Sequence, residues 1–324
     1  MNQAAEEHPA PKERLLAAGH NLVNDLVTRE VIEGLRARGT RPILLKGSSV
    51  RRLLYALDEE RISNDIDLLI EAVELTEVED ALPMLGFRYF GVARLGAGRR
   101  GERWWLHEPT GLFVELHTTI TGIGASPTIV WETLAANTET VKVDGSAVEI
   151  LDEVGRIFHV VLNAAKHGRR DAKTMADLER ALSLIPVVRW REAAGLALRL
   201  DALSSFSAGL RLDPRGVVLL EKLGVDAPVD PIDALRAETA PPLAEGIEWF
   251  MQLPSARARA EFLLRTVVPP PQYMRYRSPR ARKGRLGLAT AYLGRPFWIA
   301  AHLRPAIQAW RRARQTARAS KLGV

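Results

Sequence analysis

The side chains best suited to chemistry fall in two short stretches. The first, LLKGSSVRRLLYALDEERISNDIDLLI, runs from Leu44 to Ile70 and carries Asp65 and Asp67 two positions apart. The second, GLFVELHTTI, runs from Gly111 to Ile120 and carries Glu115 and His117 at the same spacing. Side chains alternate along a strand, so each pair projects from one face while Ile66, Leu68, Val114 and Leu116 alternate with it. Two carboxylates side by side on a core strand repel, and one takes up a proton unless a cation neutralises both. Paired aspartates with oxygen ligation suit Mg²⁺, which also binds substrate phosphates. If the two strands are neighbours, Glu115 becomes a third carboxylate over the same metal. Each piece has a plainer reading alone. A D-x-D tripeptide is common at strand ends facing water, a lone strand Glu is usually solvated, and His117 is by default a hydrogen-bonded structural histidine.

The company of the aspartates adds weight. Ile43-Leu44-Leu45 reads as a strand, and Lys46-Gly47-Ser48 follows it into a helix expected over Ser48–Leu57. Such a turn suits an anion, because backbone N–H groups point outward and the helix dipole favours phosphate. Gly47 allows close approach, the Ser48 hydroxyl can donate, and Lys46 adds a point charge. The plainer alternative is a helix cap supplied by the serines. Arg61, just before the aspartates, either pairs with a phosphate or braces the strand through a carboxylate.

The elements that position these residues are legible from periodicity. Residues 12–38 repeat apolar positions at helical steps up to Gly39. Asn64–Ile70 reads as a strand, Glu74–Leu85 as a helix stopped by Gly86, and Arg88–Val92 as another strand. Arg103–His107 and Leu112–Ile120 flank the turn Glu108-Pro109-Thr110-Gly111 and read as a hairpin. Thr138–Val143 and Ala147–Leu151 form a second around Asp144-Gly145. From Asp152 the pattern turns helical, over 154–167, 174–185, 190–203 and 215–223. Three regions result: an α/β domain with a small mixed sheet over 1–151, an α-helical lobe over 152–268, and a basic helical tail over 269–324.

Bulk properties narrow the classes. The chain has 324 residues and no cysteine, which removes disulfides, thiolate metal sites and cysteine nucleophiles. The N-terminal MNQAAEEHPAPKERLL is polar where a signal peptide is basic and then apolar. No apolar run approaches the roughly 20 residues that span a bilayer. A cytoplasmic protein without a transmembrane segment is the expectation. The net charge of +6 is uneven: Arg275 to Val324 carries thirteen Lys/Arg and no Asp or Glu, leaving −7 for the rest. Basicity is thus a property of the tail. Tyr292, Phe297, Trp298 and Trp310 interleave with its arginines, and it suits an anionic lipid surface, nucleic acid or an acidic protein. A packed helix with a solvated basic face is the plainer reading. Pro296 and Pro305 are expected to interrupt any single long amphipathic helix there, which weighs against the lipid surface.

Strand–Gly–Ser, helix, D-x-D strand and a later acidic strand together resemble the DNA-polymerase-β-like nucleotidyltransferase superfamily. More narrowly, LLKGSS, RISNDIDLLI and VELH resemble the NTP_transf_5 nucleotidyltransferase family. LNAAKHG and MADLERAL are similar to its helical lobe. Glu115 stands where Asp is more usual, and Thr118 where Trp is frequent. The resemblance implies an α+β fold: a polymerase-β-like domain followed by a helical lobe. It implies transfer of a nucleoside monophosphate from an NTP, ATP among them, to a hydroxyl acceptor, with release of pyrophosphate. Asp65, Asp67 and Glu115 would hold two Mg²⁺ ions, with Mn²⁺ as an alternative. Lys46, Gly47, Ser48, Arg61 and His117 would serve the nucleotide. Lys166, His167 and Asp177 would line its cleft from the helical lobe, where helix packing is the alternative. The acceptor class stays open between a small molecule, peptide or sugar and an RNA or protein. A non-catalytic nucleotide-binding module is the rival, opposed by the electrostatic cost of an idle acidic site.

Overall fold

Two opposed apolar faces on one sheet organise the N-terminal half. The structure is a computed structural model, and it describes residues 11–56, 59, 61–92, 103–238 and 240–322. The chain begins with α1 (Pro11–Arg36), β1 (Ile43–Leu44), α2 (Ser48–Leu54) and β2 (Asp65–Leu69). Next come α3 (Leu75–Ala81), β3 (Phe87–Val92), β4 (Arg103–His107), β5 (Phe113–His117), α4 (Pro127–Ala135), β6 (Thr138–Val143) and β7 (Ser146–Leu151). The seven strands form one mixed sheet in the order β3-β4-β5-β2-β1-β7-β6. β2 runs parallel to β5, and β1 is antiparallel to β2 and parallel to β7. The fold is α+β with a mixed sheet, as expected, although α4 has no counterpart in the sequence reading.

Alternation decides which face each side chain takes. Ile66 and Leu68 pack with Val114, Leu116 and Val27, Val31 and Leu35 of α1. Leu69, Ile43 and Leu45 turn the other way, against helices that follow the sheet. Burying each such side chain contributes roughly 1.5–3 kcal/mol. A one-residue slip of β2 would exchange Ile66 and Leu68 for Asp65 and Asp67 beneath α1, so the register is strongly determined.

Two local expectations are corrected. α2 ends at Leu54, where Tyr55 turns extended, and its N-cap is Gly47 with no side-chain cap. The Ser48 hydroxyl instead donates to Asp25 Oδ1 of α1 at 2.6 Å. Gly47 has φ 65°, a left-handed conformation that disfavours a side chain.

The helical lobe comprises α5 (Glu153–His167), α6 (Ala172–Leu184), α7 (Val187–Arg199), α8 (Leu203–Leu210), α9 (Pro214–Leu223), α10 (Pro231–Ala237), α11 (Pro242–Gln252) and α12 (Ala256–Val267). The single helix expected over 190–203 is divided, because Asp201 adopts φ 52° between α7 and α8. Asp152 starts α5 by accepting the Gly155 N–H at 2.7 Å. α5 then lays Ile157, Phe158, Val161 and Leu162 on the sheet core.

α13 (Pro271–Arg277) and α14 (Gly284–Leu322) complete the chain. α14 runs unbroken through Pro296 and Pro305, correcting the expected interruption. Each proline removes one backbone donor, yet tertiary packing holds the helix together. Ala306, Ala309 and Ala313 pack closely on Ala234, Leu235 and Ala244 of α10 and α11. Trp310 Nε1 donates to Glu248 at 2.6 Å, and Arg314 pairs with the same carboxylate. Tyr276 of α13 stands edge-on to Phe90 and Trp104, with ring centroids 5.7 and 5.9 Å away.

A buried ionic joint ties the lobe to the α2–β2 segment. Arg61 donates from Nε and Nη2 to the two oxygens of Asp177 in α6, at 2.8 and 2.6 Å. The Tyr55 hydroxyl donates to the same carboxylate at 2.7 Å. Burial and the neighbouring Asp177 charge push that phenol above its ordinary range, so it remains a donor. Just outside, Arg180 stacks over Tyr55 and pairs with the more exposed Glu59. Asp177→Asn, which leaves Arg61 buried without its counter-charge, is expected to cost about 3–5 kcal/mol. Glu59→Gln is expected to cost about 1 kcal/mol or less. Urea denaturation of the two variants measures the contrast, and equal costs would contradict it.

Candidate active site

β2 and β5 supply the site because their parallel register sets like residues side by side. Asp65 pairs with Phe113, Asp67 with Glu115 and Leu69 with His117, all on the face toward α5. Burial is graded along β2: Asp65 is half-buried, while Asp67 is fully enclosed. Asp67, Glu115 and His117 each offer a ligand atom, and these atoms lie within 4.8 Å of one another. Asp65 stands outside that tight group but shares its face, and its charge acts on Lys46.

Lys46 is the cation at the centre. Its Nζ lies 2.7 Å from Asp67 Oδ1. His117 Nε2 donates to the same oxygen at 2.9 Å and lies 3.7 Å from Glu115 Oε2. Burial works against the Lys46 charge, but Asp67, Asp65 and Glu115 outweigh it and hold the ammonium far above its usual range. Burial likewise opposes the Asp67 charge, yet Lys46, the His117 hydrogen bond and Lys166 keep it well below the carboxylate range. Glu115 has the opposite fate. Burial and repulsion from Asp67 push its carboxyl up to about 7.

α5 provides the opposite wall. His159, Asn163 and Lys166 line a cavity together with Lys46, Asp67 and His117. Burial, reinforced by Lys46, drives His159 down to about 3, so its imidazole is neutral. Its Nδ1 is buried without a hydrogen-bond partner. His159 and Asn163 were not anticipated, although positions 159, 163 and 166 form an i, i+4, i+7 polar stripe along α5. Of the expected cleft residues from this lobe, Lys166 lines the cavity. His167 lies at the end of α5, 3.8 Å from Asp171. Asp177 faces Arg61, the bracing arrangement described above. Ser48 is held against Asp25, and Gly47 sits beside Ser63 and Asn24.

The donors present fit a divalent cation. Asp67 Oδ2 is buried and has no hydrogen-bond partner. Glu115 is driven toward its neutral form by burial and by repulsion from Asp67. Two carboxylates and an imidazole match the oxygen and nitrogen preferences of such ions.

Carboxylates faced by lysines are a means of handling polyphosphates. The comparisons make the class specific. A family model described as uncharacterised nucleotidyltransferase matches residues 11–213, and the chain belongs to that family. It is therefore a nucleotidyltransferase, an enzyme that moves a nucleoside monophosphate. Among solved structures, the chain is similar to the antibiotic-resistance factor ANT(2'')-Ia. The identity is 15%, over 56% of this chain and 96% of that one, with a TM-score of 0.42. It is also similar to an antigenic nucleotidyltransferase-like protein from Paracoccidioides brasiliensis, at 15% identity over 58% and 92% of the two chains, with a TM-score of 0.34. Comparison with curated proteins gives no match.

Metal binding is the direct test of the donor set. Mn²⁺ titration followed by electron paramagnetic resonance is expected to detect a bound ion in the native protein. Glu115→Gln is expected to weaken it by about tenfold or more, at least the effect of losing an outer-shell partner. Undiminished binding in Glu115→Gln would remove that residue from the ligand set.

Proposed function

We propose that this enzyme transfers the nucleoside monophosphate of an NTP, ATP among the candidates, to a hydroxyl group on a small molecule, peptide or sugar. The observation that carries this reading is the register of Asp67 beside Glu115 on parallel strands, with His117 closing the group and Lys46 and Lys166 facing it. In this reading the acceptor oxygen attacks the α-phosphorus, and the bond to the bridging oxygen of the β-phosphate breaks. Pyrophosphate leaves, and the acceptor proton passes to a carboxylate or to solvent.

Asp65, Asp67 and Glu115 would hold divalent ions, two Mg²⁺ or Mn²⁺, with His117 positioned to adjust the set. Bound there, such ions supply charge neutralisation at phosphate oxygens and Lewis-acid activation of the acceptor hydroxyl. Within the chain's own contribution, Lys46 and Lys166 place fixed positive charge where phosphate oxygens would lie. Neutral His159 offers a ring nitrogen without adding charge. Gly47 permits backbone approach at the end of β1. The work is mainly positioning and electrostatics, as in phosphoryl transfer generally.

The choice of variants follows from the burial gradient. Asp67→Asn strips Lys46 of its closest counter-charge, so it confounds chemistry with stability. Asp65→Asn and Glu115→Gln are cleaner. The native protein, incubated with each labelled NTP, Mg²⁺ or Mn²⁺ and cell lysate, is expected to release pyrophosphate and label an acceptor. Both variants are expected to lose roughly a hundredfold or more of that rate, the scale of one lost electrostatic group, with unchanged circular dichroism. Full activity in either folded variant would sink the mechanism.

A further inference from the structure

The nucleotidyl-transfer reading leaves the basic tail without a task, and α14 presents two very different sides. Its inner side carries the alanines packed on α10 and α11, and there Arg312 and Arg314 pair with Glu238 and Glu248. Seven residues make almost two helical turns, so positions seven apart share a face. On the outer side Leu286 and Leu293 are so related, with Phe297 one turn further on. They are 84%, 73% and 78% exposed. The same line continues through Arg304, Arg311 and Arg318, again seven apart and all exposed. No acidic residue occurs from Arg275 onward to offset them. Arg282, Lys283 and Arg285, also exposed, flank the apolar end.

A single exposed leucine is ordinary, but three large apolar groups in line with three arginines call for a surface that is both greasy and negative. We infer that the outer face of α14 docks on an anionic phospholipid bilayer. The helix would lie in the interfacial plane, with Leu286, Leu293 and Phe297 below the headgroups and Arg304, Arg311 and Arg318 among their phosphates. A polyanion such as RNA would satisfy the arginines but leave Leu286, Leu293 and Phe297 in water. Among the described residues no helix is long and apolar enough to cross a membrane, so the attachment is peripheral. This inference is independent of the acceptor, because it concerns a face opposite the packed side of α14.

The test uses the full-length protein and vesicle co-sedimentation. Vesicles of phosphatidylcholine alone are compared with vesicles containing about one-third phosphatidylserine. Binding is expected only to the anionic vesicles. Arg304→Gln/Arg311→Gln/Arg318→Gln is expected to weaken it about a hundredfold, since each basic residue near such a surface contributes roughly fivefold. Leu286→Gln/Leu293→Gln/Phe297→Gln is expected to weaken it at least about tenfold through lost apolar burial. All six positions are exposed, so thermal melting and NTP turnover in solution should not change. Absence of binding to anionic vesicles, or binding undiminished in both triple variants, would overturn the inference. Binding of a labelled RNA through the three arginines, without vesicle binding, would reassign the face to nucleic acid.

Discussion

The buried contact between Lys46 and Asp67 is the interaction on which the catalytic half depends. Removing two charges from water is costly, and the pair is tolerable only because each partner has further compensation. Asp67 also accepts from His117, and Lys46 feels Asp65 and Glu115 as well. The compensation is unequal. Lys46 and His117 both engage Oδ1 of Asp67, leaving Oδ2 enclosed without a partner. Burial and repulsion from Asp67 outweigh the nearby lysines at Glu115 and move it toward neutrality. The protein by itself therefore balances one carboxylate well and the next one poorly. This imbalance is what makes the cluster receptive to a further cation.

That charge arrangement depends on backbone features that carry no charge. The parallel pairing of β2 with β5 places Asp67 beside Glu115, and the apolar residues between them fix the register. α5 must then approach closely enough for His159 and Lys166 to face the cluster. The Arg61–Asp177 joint helps hold that approach, because Arg61 directly precedes the aspartate strand and Asp177 lies on the helix after α5. A bidentate guanidinium constrains direction as well as distance, which a lysine at the same position would not reproduce.

Much of this was legible in the sequence, for identifiable reasons. Period-two alternation told which residues of DIDLL and FVELH share a face, since strand geometry leaves no other choice. It could not tell that the two strands are neighbours, which is a tertiary fact about segments some fifty positions apart. Lys46 was visible as a charge near phosphates, but not as the counter-ion of Asp67. Adjacent helical residues point about 100° apart, so Lys166 and His167 were not equivalent candidates. The stripe through His159, Asn163 and Lys166 was the better signal. The prolines of α14 misled because local propensity was weighed without the alanine face that anchors the helix.

The tail extends the same logic to a larger scale. Close packing of Ala306, Ala309 and Ala313 fixes the rotation of α14 about its axis, just as Ile66 and Leu68 fix the facing of β2. Once that rotation is set, Leu286, Leu293 and Phe297 have no route into the core. Their exposure is a consequence of the alanine seam, because turning them inward would drive Arg304, Arg311 and Arg318 toward α10 and α11 as well. Burying three arginines there would cost more than three apolar side chains could return. Tyr276 connects this region to the catalytic sheet through Phe90 and Trp104, and Trp104 is the register neighbour of Glu115.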